Sequence, residues 1–209
     1  MRSAAAILLV LLTVASLALT SVALDSPDGD PEFYFTRLAY SEDGSRGFGR
    51  FLGRSYICPE FGGGNFFPTQ GMGWSMDSPG ADCKFMGGVH RLTGLAVHPN
   101  PNMVEVTDNE LYKFPYAYIA EPGGMDLTNE EVAQLREYLL RGGFIHADDF
   151  WGRYELSNFE FQMKRVFPEY SFEPLTPKDP SFHTFFDIDE IMQIPGKAAG
   201  CTPGAPTYE

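Results

Sequence analysis

An α/β fold on a mostly parallel sheet is predicted by three features of residues 114–151, FPYAYIAEPGGMDLTNEEVAQLREYLLRGGFIHADDFW. Two short apolar runs are of the kind buried on both faces of a parallel sheet. A helix with its own start and stop signals lies between them. The second run ends in acidic and aromatic residues, where open α/β sheets hold ligands, outside the carboxyl ends of their strands.

In that unit, Tyr116 to Ala120 is the first strand and Pro122-Gly123-Gly124 turns the chain. Thr128 with Glu131 three residues on is a capping box, each side chain satisfying the other residue's free N–H. Val132, Leu135 and Leu139 form the expected buried stripe, with Tyr138 at its margin, while Glu130, Gln134, Glu137 and Arg141 face water. Gly142-Gly143 stops the helix in the left-handed conformation that glycine adopts cheaply. Residues 144–147 form a second buried strand, and right-handed crossover makes it parallel to the first.

Taken from the N-terminus, Arg2 precedes an apolar run at residues 4–19, and Ser21-Val22-Ala23 supplies small residues where a signal peptidase reads. Residues 1–23 are expected to be a secretory signal peptide; the alternative is an uncleaved membrane anchor, the run approaching the ~20 residues that span a bilayer. An Asp, Pro and Gly-rich linker follows at 24–31, and a single α/β domain is expected over 32–195. Residues 33–40 read as the first strand of the sheet. Residues 41–77 hold Gly, Pro and aromatic residues without period, a loop expected to lie across the sheet edge or over the site. Ser78-Pro79 reads as an N-cap with Pro at the first helical position, and Phe85, Val89 and Leu92 as the inner face of a helix that Gly94 ends. Within it, Gly87-Gly88 costs about 1 kcal/mol each relative to Ala. Residues 95–97 and 103–106 are short strand candidates, and 109–113 a single helical turn. A third helix is expected from Ser157, capped with Glu160 and lined by Phe159, Met163 and Val166, until Pro168 stops it. Residues 170–175 suggest a further strand, and 196–209 an irregular tail compatible with truncation.

Composition narrows the partners. The 209 residues carry a formal net charge of −13, a surface that repels phosphate backbones and anionic lipid. Nucleic acid is therefore excluded as an expected partner, and membrane contact is expected only through an uncleaved N-terminal segment. An envelope protein or a small neutral or cationic ligand remains. Three cysteines, Cys58, Cys83 and Cys201, allow at most one internal bridge, and none is expected, because a core of this size does not need one. No CxxC or Cys/His cluster supports structural zinc.

The stretches EFYFTRLAY, GWSMDSPGAD, TDNELYKFPYAYIAEPGGM, LTNEEVAQLREYLLRGGFIHADDFWG, NFEFQMKRVFPE and FHTFFDI resemble a family of exported bacterial proteins known as domain of unknown function 4159. The resemblance implies a fold like class I glutamine amidotransferases, a flavodoxin-like three-layer α/β sandwich, in a periplasmic or cell-envelope protein. It implies no reaction. The chain departs from the family pattern at Gly87-Gly88, at His146 where an aliphatic residue is usual, and in an early C-terminus. Active amidotransferases carry a nucleophilic Cys in the elbow after a central strand, and that chemistry needs a thiolate beside a positioned His. The corresponding turn here is Glu121-Pro122-Gly123-Gly124-Met125, without a cysteine.

Glu121 and Asp149, at the ends of the two central strands, are the leading candidates for a ligand, acid–base or metal pair. Asp148 precedes Asp149, but alternation sends the two side chains to different sides; Asp149 is expected in the crevice. Asp148 and Trp151 belong with Asp149 to the candidate ligand-binding tip; the alternative is that Asp148 only accepts backbone N–H from the next turn and Trp151 covers the sheet edge. Gly123-Gly124 suggests an anion nest, which the neighbouring acids Glu121 and Asp126 disfavour. Arg37 and Tyr40, late in the first strand, would face the same crevice, Arg37 binding a substrate carboxylate or pairing with Asp149. Of the histidines, His183 beside Asp187 is the candidate base or ligand, His146 reads as a hydrogen-bonded core residue, and His90 and His98 as surface or loop residues. Trp74 and Asp77 suit a sugar-like binding surface or simple packing over the sheet. No metal ligand set or cofactor is identified, although a divalent cation is compatible with the carboxylates. Two functions follow: a non-catalytic ligand- or protein-binding module of the cell envelope, or a carboxylate- or metal-dependent hydrolase of envelope carbohydrate or peptide.

Overall fold

The computed structural model describes residues 31–42, 45–46, 57–63, 73–149 and 152–191. The signal segment, the linker up to residue 30, Phe150, Trp151, Cys201 and the 196–209 tail lie outside them. In chain order the elements are β1 (Thr36–Ala39), β2 (Ser41–Glu42), β3 (Ser45–Arg46), α1 (Gly80–Thr93), β4 (Asn102–Glu105), β5 (Tyr116–Ala120), α2 (Asn129–Leu140), β6 (Phe144–Asp148) and α3 (Gly152–Val166). Short 3₁₀ turns punctuate the connections, including the expected one at Asn109–Lys113.

The main sheet has four parallel strands in the order β4-β1-β5-β6. After β1 the chain crosses to β4 on one side and then returns to build β5 and β6 on the other. This reversal makes the carboxyl ends of β1 and β5 a topological switch point. The β5–β6 register runs from Tyr116↔Phe144 to Ala120↔Asp148, so Glu121 and Asp149 leave neighbouring strands at the same level. Of the expected strand at 95–97, one bridge remains, Phe33↔Val97.

Alternation along the strands feeds two apolar clusters. Leu38, Ala117 and Ile119 join Leu135 and Tyr138 of α2 and Val166 of α3. Phe35, Tyr118 and Ala120 join Cys83 and Met86 of α1 with Cys58. The capping box at Thr128 forms as expected, Thr128 Oγ1 accepting from Glu131 N at 3.2 Å and Glu131 Oε2 from Thr128 N at 2.7 Å. At the other end of α2 the Tyr138 hydroxyl donates to Phe114 O and Phe144 O, at 3.0 and 3.3 Å. Burial pushes its pKa up to about 12. A side chain at Gly143 would enter the Tyr138 ring, so only glycine fits at the helix stop.

Several expectations are corrected. Helix α1 buries Asp82, Cys83, Met86 and Gly87, whereas Phe85 and Leu92 are exposed. The reason is a polar anchor: Asp82 is buried on the inner face together with Cys83 and Met86, which turns Leu92 outward and Phe85 to the margin. Ser78 does not cap the helix; its hydroxyl donates to Asp82 Oδ2 at 3.0 Å. Helix α3 starts at Gly152, so Ser157 is interior. Residues 170–175 form no strand. Strand β6 pairs only with β5 among the described residues and is partly exposed, with Phe144 at 61%.

The absent bridge is also corrected: Cys58 and Cys83 form a disulfide, both cysteines buried. It ties the segment before α1 to the helix. Size of core was the wrong criterion, because what decides a bridge is whether packing brings two cysteines together, and here the turn at Cys58 lies against the start of α1.

Arg37 points into the α1 side of the sheet and is fully buried. Its Nη2 and Nε donate to Asp82, the latter at 3.3 Å, and its Nη1 to Trp74 O at 2.8 Å. The guanidinium lies 5.0 Å from the Tyr118 ring centroid. Breaking such a pair leaves a buried charge, at a cost of about 3–5 kcal/mol, while replacing both partners by apolar groups is often near neutral. Urea unfolding should therefore find Asp82→Asn and Arg37→Met each strongly destabilising, and the R37M/D82L double variant less so than either alone; single variants within about 1 kcal/mol of wild type would contradict the anchoring role. Separately, with a sequence separation of 25 between the cysteines, the C58A/C83A variant should lose about 3 kcal/mol in the same measurement.

Candidate functional site

The last hydrogen bond of the β5–β6 ladder, Glu121 N to Asp148 O at 3.0 Å, sets the base of the site. Immediately beyond it both chains turn sharply. Glu121 has φ 45° and Asp149 φ 66°, left-handed values that non-glycine residues rarely adopt. Each costs of the order of 1–3 kcal/mol, and such residues cluster at functional sites. Two strained carboxylic residues thus stand side by side at the carboxyl end of the sheet.

Glu121 is held from three sides. Its carbonyl accepts from the Tyr40 hydroxyl at 2.8 Å, which also reaches Ala120 O at 2.7 Å. Its Oε2 accepts from Gly73 N at 2.9 Å, and Pro122–Gly124 continues as a 3₁₀ turn. Glu42, just past β1, accepts Trp74 N on Oε1 at 2.8 Å. The Gly73–Ser75 turn is therefore seated on two carboxylates, and a side chain at Gly73 would overlap that of Glu42. Burial raises the Glu121 pKa above its usual value; the Gly73 N–H opposes this, and the charges of Asp149, Glu42 and Glu155 raise it further.

The other predicted residues distribute as follows. Asp148 stays in the turn, accepting from Asp149 N at 2.8 Å and from the Tyr118 hydroxyl at 3.3 Å. Gly123 is buried beneath Glu155, whose side chain fills the space a Cβ would need. Asn158 Nδ2 donates to Gly123 O at 2.9 Å, and Gly124 N–H is spent on Glu121 O. Tyr40 is a buried latch between β1 and β5, and burial raises the pKa of its hydroxyl. Arg37 faces Asp82 rather than Asp149, on the inner side of the sheet. Trp151 lies outside the described residues. His183 bonds Asp187 at 3.1 Å and Pro177 O at 2.7 Å, both within its own C-terminal segment, and no described contact links it to Glu121. His146 accepts or donates a 2.9 Å bond with the Tyr116 hydroxyl. Trp74 is buried in the core and Asp77 is exposed with φ 57°.

Two members of the acidic end escaped sequence reasoning. Glu42 falls in an aperiodic loop, although its place two residues beyond Tyr40 puts it at a strand end. Glu155 was hidden by starting α3 five residues late. Tyr40 also lines a hollow of about 180 Å³ with Trp74, Glu105, Glu130 and Glu131, beside the start of α2. In its wall Glu131, besides closing the capping box, accepts from Ser41 N and Oγ at 2.9 and 3.1 Å. Among the described residues, three potential metal donors converge within 4.8 Å only at Cys58, Glu60 and Cys83, away from these carboxylates. The arrangement of the acidic end can attract a positive group and share a proton; it is not a compact preformed metal cage.

Because the folded pKa of Glu121 is raised above the usual 4.5, its contribution to stability is fully present below about that pH and is lost as pH rises through the folded value. The Glu121→Gln variant should then be more stable than wild type at neutral pH, with the difference shrinking as pH falls below 4.5. Denaturation midpoints across pH check this; a pH-independent difference would refute the electrostatic account.

Comparison with curated proteins gives no match. The profile of one family, described as a domain of unknown function (DUF4159), matches residues 67–207. That span covers α1, β4, β5, α2, β6 and α3, together with Glu121 and Asp149. The chain belongs to the DUF4159 family.

Proposed function

We propose that this protein is a non-catalytic binding module that captures a positively charged group at the carboxyl end of its sheet. The observation that carries this reading is Glu121: a strained, half-buried carboxylic residue at the switch point, with Asp149, Glu42 and Glu155 close enough to raise its pKa. The 180 Å³ hollow nearby is smaller than a typical small-molecule pocket. It is lined by Glu105, Glu130 and Glu131 and not by Glu121 or Asp149; the carboxylates at the strand ends themselves suit an ammonium or guanidinium group, on a small ligand or at the tip of a partner's side chain. The apolar N-terminal run and the Cys58–Cys83 bridge support an exported, cell-envelope setting, since disulfides persist in oxidising compartments. The parallel sheet with apolar clusters on both faces supports a flavodoxin-like three-layer sandwich of the class I glutamine amidotransferase type, used here without the cysteine elbow.

One observation favours a second reading. Glu121, a carboxyl group with a raised pKa, stands beside the carboxyl group of Asp149, and two such groups are the equipment of a general acid–base pair. Glu121 as acid and Asp149 as base would make the protein a hydrolase of envelope carbohydrate or peptide, with or without a divalent cation.

Thermal unfolding in the presence of a lysine-rich peptide, spermidine, calcium, magnesium, manganese or zinc separates these readings. The binding module predicts stabilisation by the organic cations, approaching about 2.7 kcal/mol at a hundredfold excess over Kd, and its loss in Glu121→Gln and Asp149→Asn. No stabilisation by any organic cation, together with turnover of envelope glycan or peptide that Glu121→Gln abolishes, would overturn it in favour of the hydrolase.

A further inference from the structure

We propose that the Cys58–Cys83 pair has a second chemical state, in which its reduced sulfurs and the Glu60 carboxylate bind a thiophilic divalent cation of the zinc class. One donor atom from each of Cys58, Glu60 and Cys83 lies within 4.8 Å of the other two. Zinc takes thiolate sulfur at about 2.3 Å and carboxylate oxygen at about 2.0–2.2 Å, so two sulfurs on one tetrahedral ion sit about 3.8 Å apart. Side-chain rotation at the two cysteines, whose Cα atoms are 5.4 Å apart, provides that spacing.

Glu60 is held near the two sulfurs by the backbone of the turn that follows Cys58. Cys58 opens the Pro59–Phe61 turn, and Cys58 O accepts from Phe61 N at 2.9 Å and Gly63 N at 3.1 Å. Gly62 is left-handed, and a side chain at Gly63 would overlap Ile57 O, so the closure depends on both glycines. The turn carries Glu60 over helix α1 one turn beyond Cys83. There a Cβ on Gly87 would come within 2.8 Å of Glu60 Cγ. The helix thus accepts a glycine, at about 1 kcal/mol, in the place where an alanine would push Glu60 off Cys83.

The electrostatics agree. Cys83 lies in the first turn of α1, where the helix dipole favours a thiolate. Two thiolates and a carboxylate leave a bound dication with one negative charge. The adjoining groove, about 370 Å³ and lined by Glu60, Lys84, His90 and Arg91, supplies cationic side chains on that side. Both sulfurs are buried while Glu60 is exposed, so the carboxylate stands on the open side. Three protein ligands with one open position is a recognised zinc arrangement.

The interconversion balances with a dithiol reductant. Its thiolate attacks one sulfur of the bridge, its second thiol resolves the mixed disulfide, and it leaves as a disulfide, having given two electrons and two protons to Cys58 and Cys83. Metal binding then displaces both thiol protons to solvent. This site is separate from Glu121 and does not depend on the function proposed for that end.

The test is a cobalt titration of the full chain, reduced with a phosphine that is then removed anaerobically. Reduced wild type should take up one cobalt with thiolate-to-cobalt charge-transfer absorption that zinc abolishes, and oxidised wild type should give none. C58A and C83A should each lose the absorption. Glu60→Gln, an exposed change that leaves both cysteines, should weaken binding by at least about tenfold, the lower bound for losing even an outer-shell partner. Gly87→Ala should weaken it as well. The proposal is overturned by absent charge transfer in the reduced chain, by unchanged affinity in Glu60→Gln, or by equal affinity in 6 M urea, about the strength that unfolds small domains, which would assign the signal to unfolded thiols.

Discussion

The buried pair of Arg37 and Asp82 is the interaction on which the rest of the structure depends. Arg37 sits in the middle of β1, between β4 and β5, and its guanidinium is fully buried on the sheet's α1 face. Its three donors reach Asp82 of α1 and the carbonyl of Trp74, so one side chain fixes the helix and the turn that precedes it. Ser78 completes the Asp82 environment and Tyr118 covers the guanidinium. A charge in such a place is tolerated only when paired and hydrogen-bonded, and this requirement dictates the rotation of α1. Leu92 is left outside as a result, and Phe85 lies at the margin of the face, partly exposed and packed on Phe35 and Tyr116.

The same anchor shapes the candidate site. By holding Trp74 O, Arg37 brings the Gly73–Ser75 turn onto the carboxyl ends of β1 and β5, where Gly73 N and Trp74 N meet Glu121 and Glu42. Two backbone N–H donors address two carboxylates at the strand ends. Glu121 and Asp149 take left-handed backbone values there, immediately after the last ladder bond, where each chain turns out of its strand. Partial burial and like charge coincide at the carboxyl end of the sheet, and together they raise the pKa of Glu121.

Much of the fold was legible because its signals are local. The capping box at Thr128 and Glu131, the Gly142-Gly143 stop and the apolar run of β5 each act within a few residues, and all appear as read. Elements whose limits depend on distant partners were misread. Helix α3 begins at Gly152 because Asn158 and Glu155 dock on the Gly123 turn, a contact across more than thirty residues. The 170–175 run has strand-like composition but no neighbouring strand to bond, so it remains coil. The Cys58–Cys83 bridge follows from where α1 packs, which spacing does not encode.

By itself the sequence determined the α/β class, the parallel pairing of β5 with β6, the lack of a cysteine nucleophile in the Glu121 turn and the placement of Glu121 and Asp149 at adjoining strand ends. These follow from periodicity, capping and crossover handedness, which are properties of short stretches of chain. Only the tertiary structure decided that Arg37 turns inward to Asp82, that Glu42 and Glu155 join the acidic end, and that Cys58, Cys83 and Glu60 converge on α1. Those outcomes depend on which face of β1 and of α1 is buried, and that choice was set by satisfying one buried charge across 45 residues.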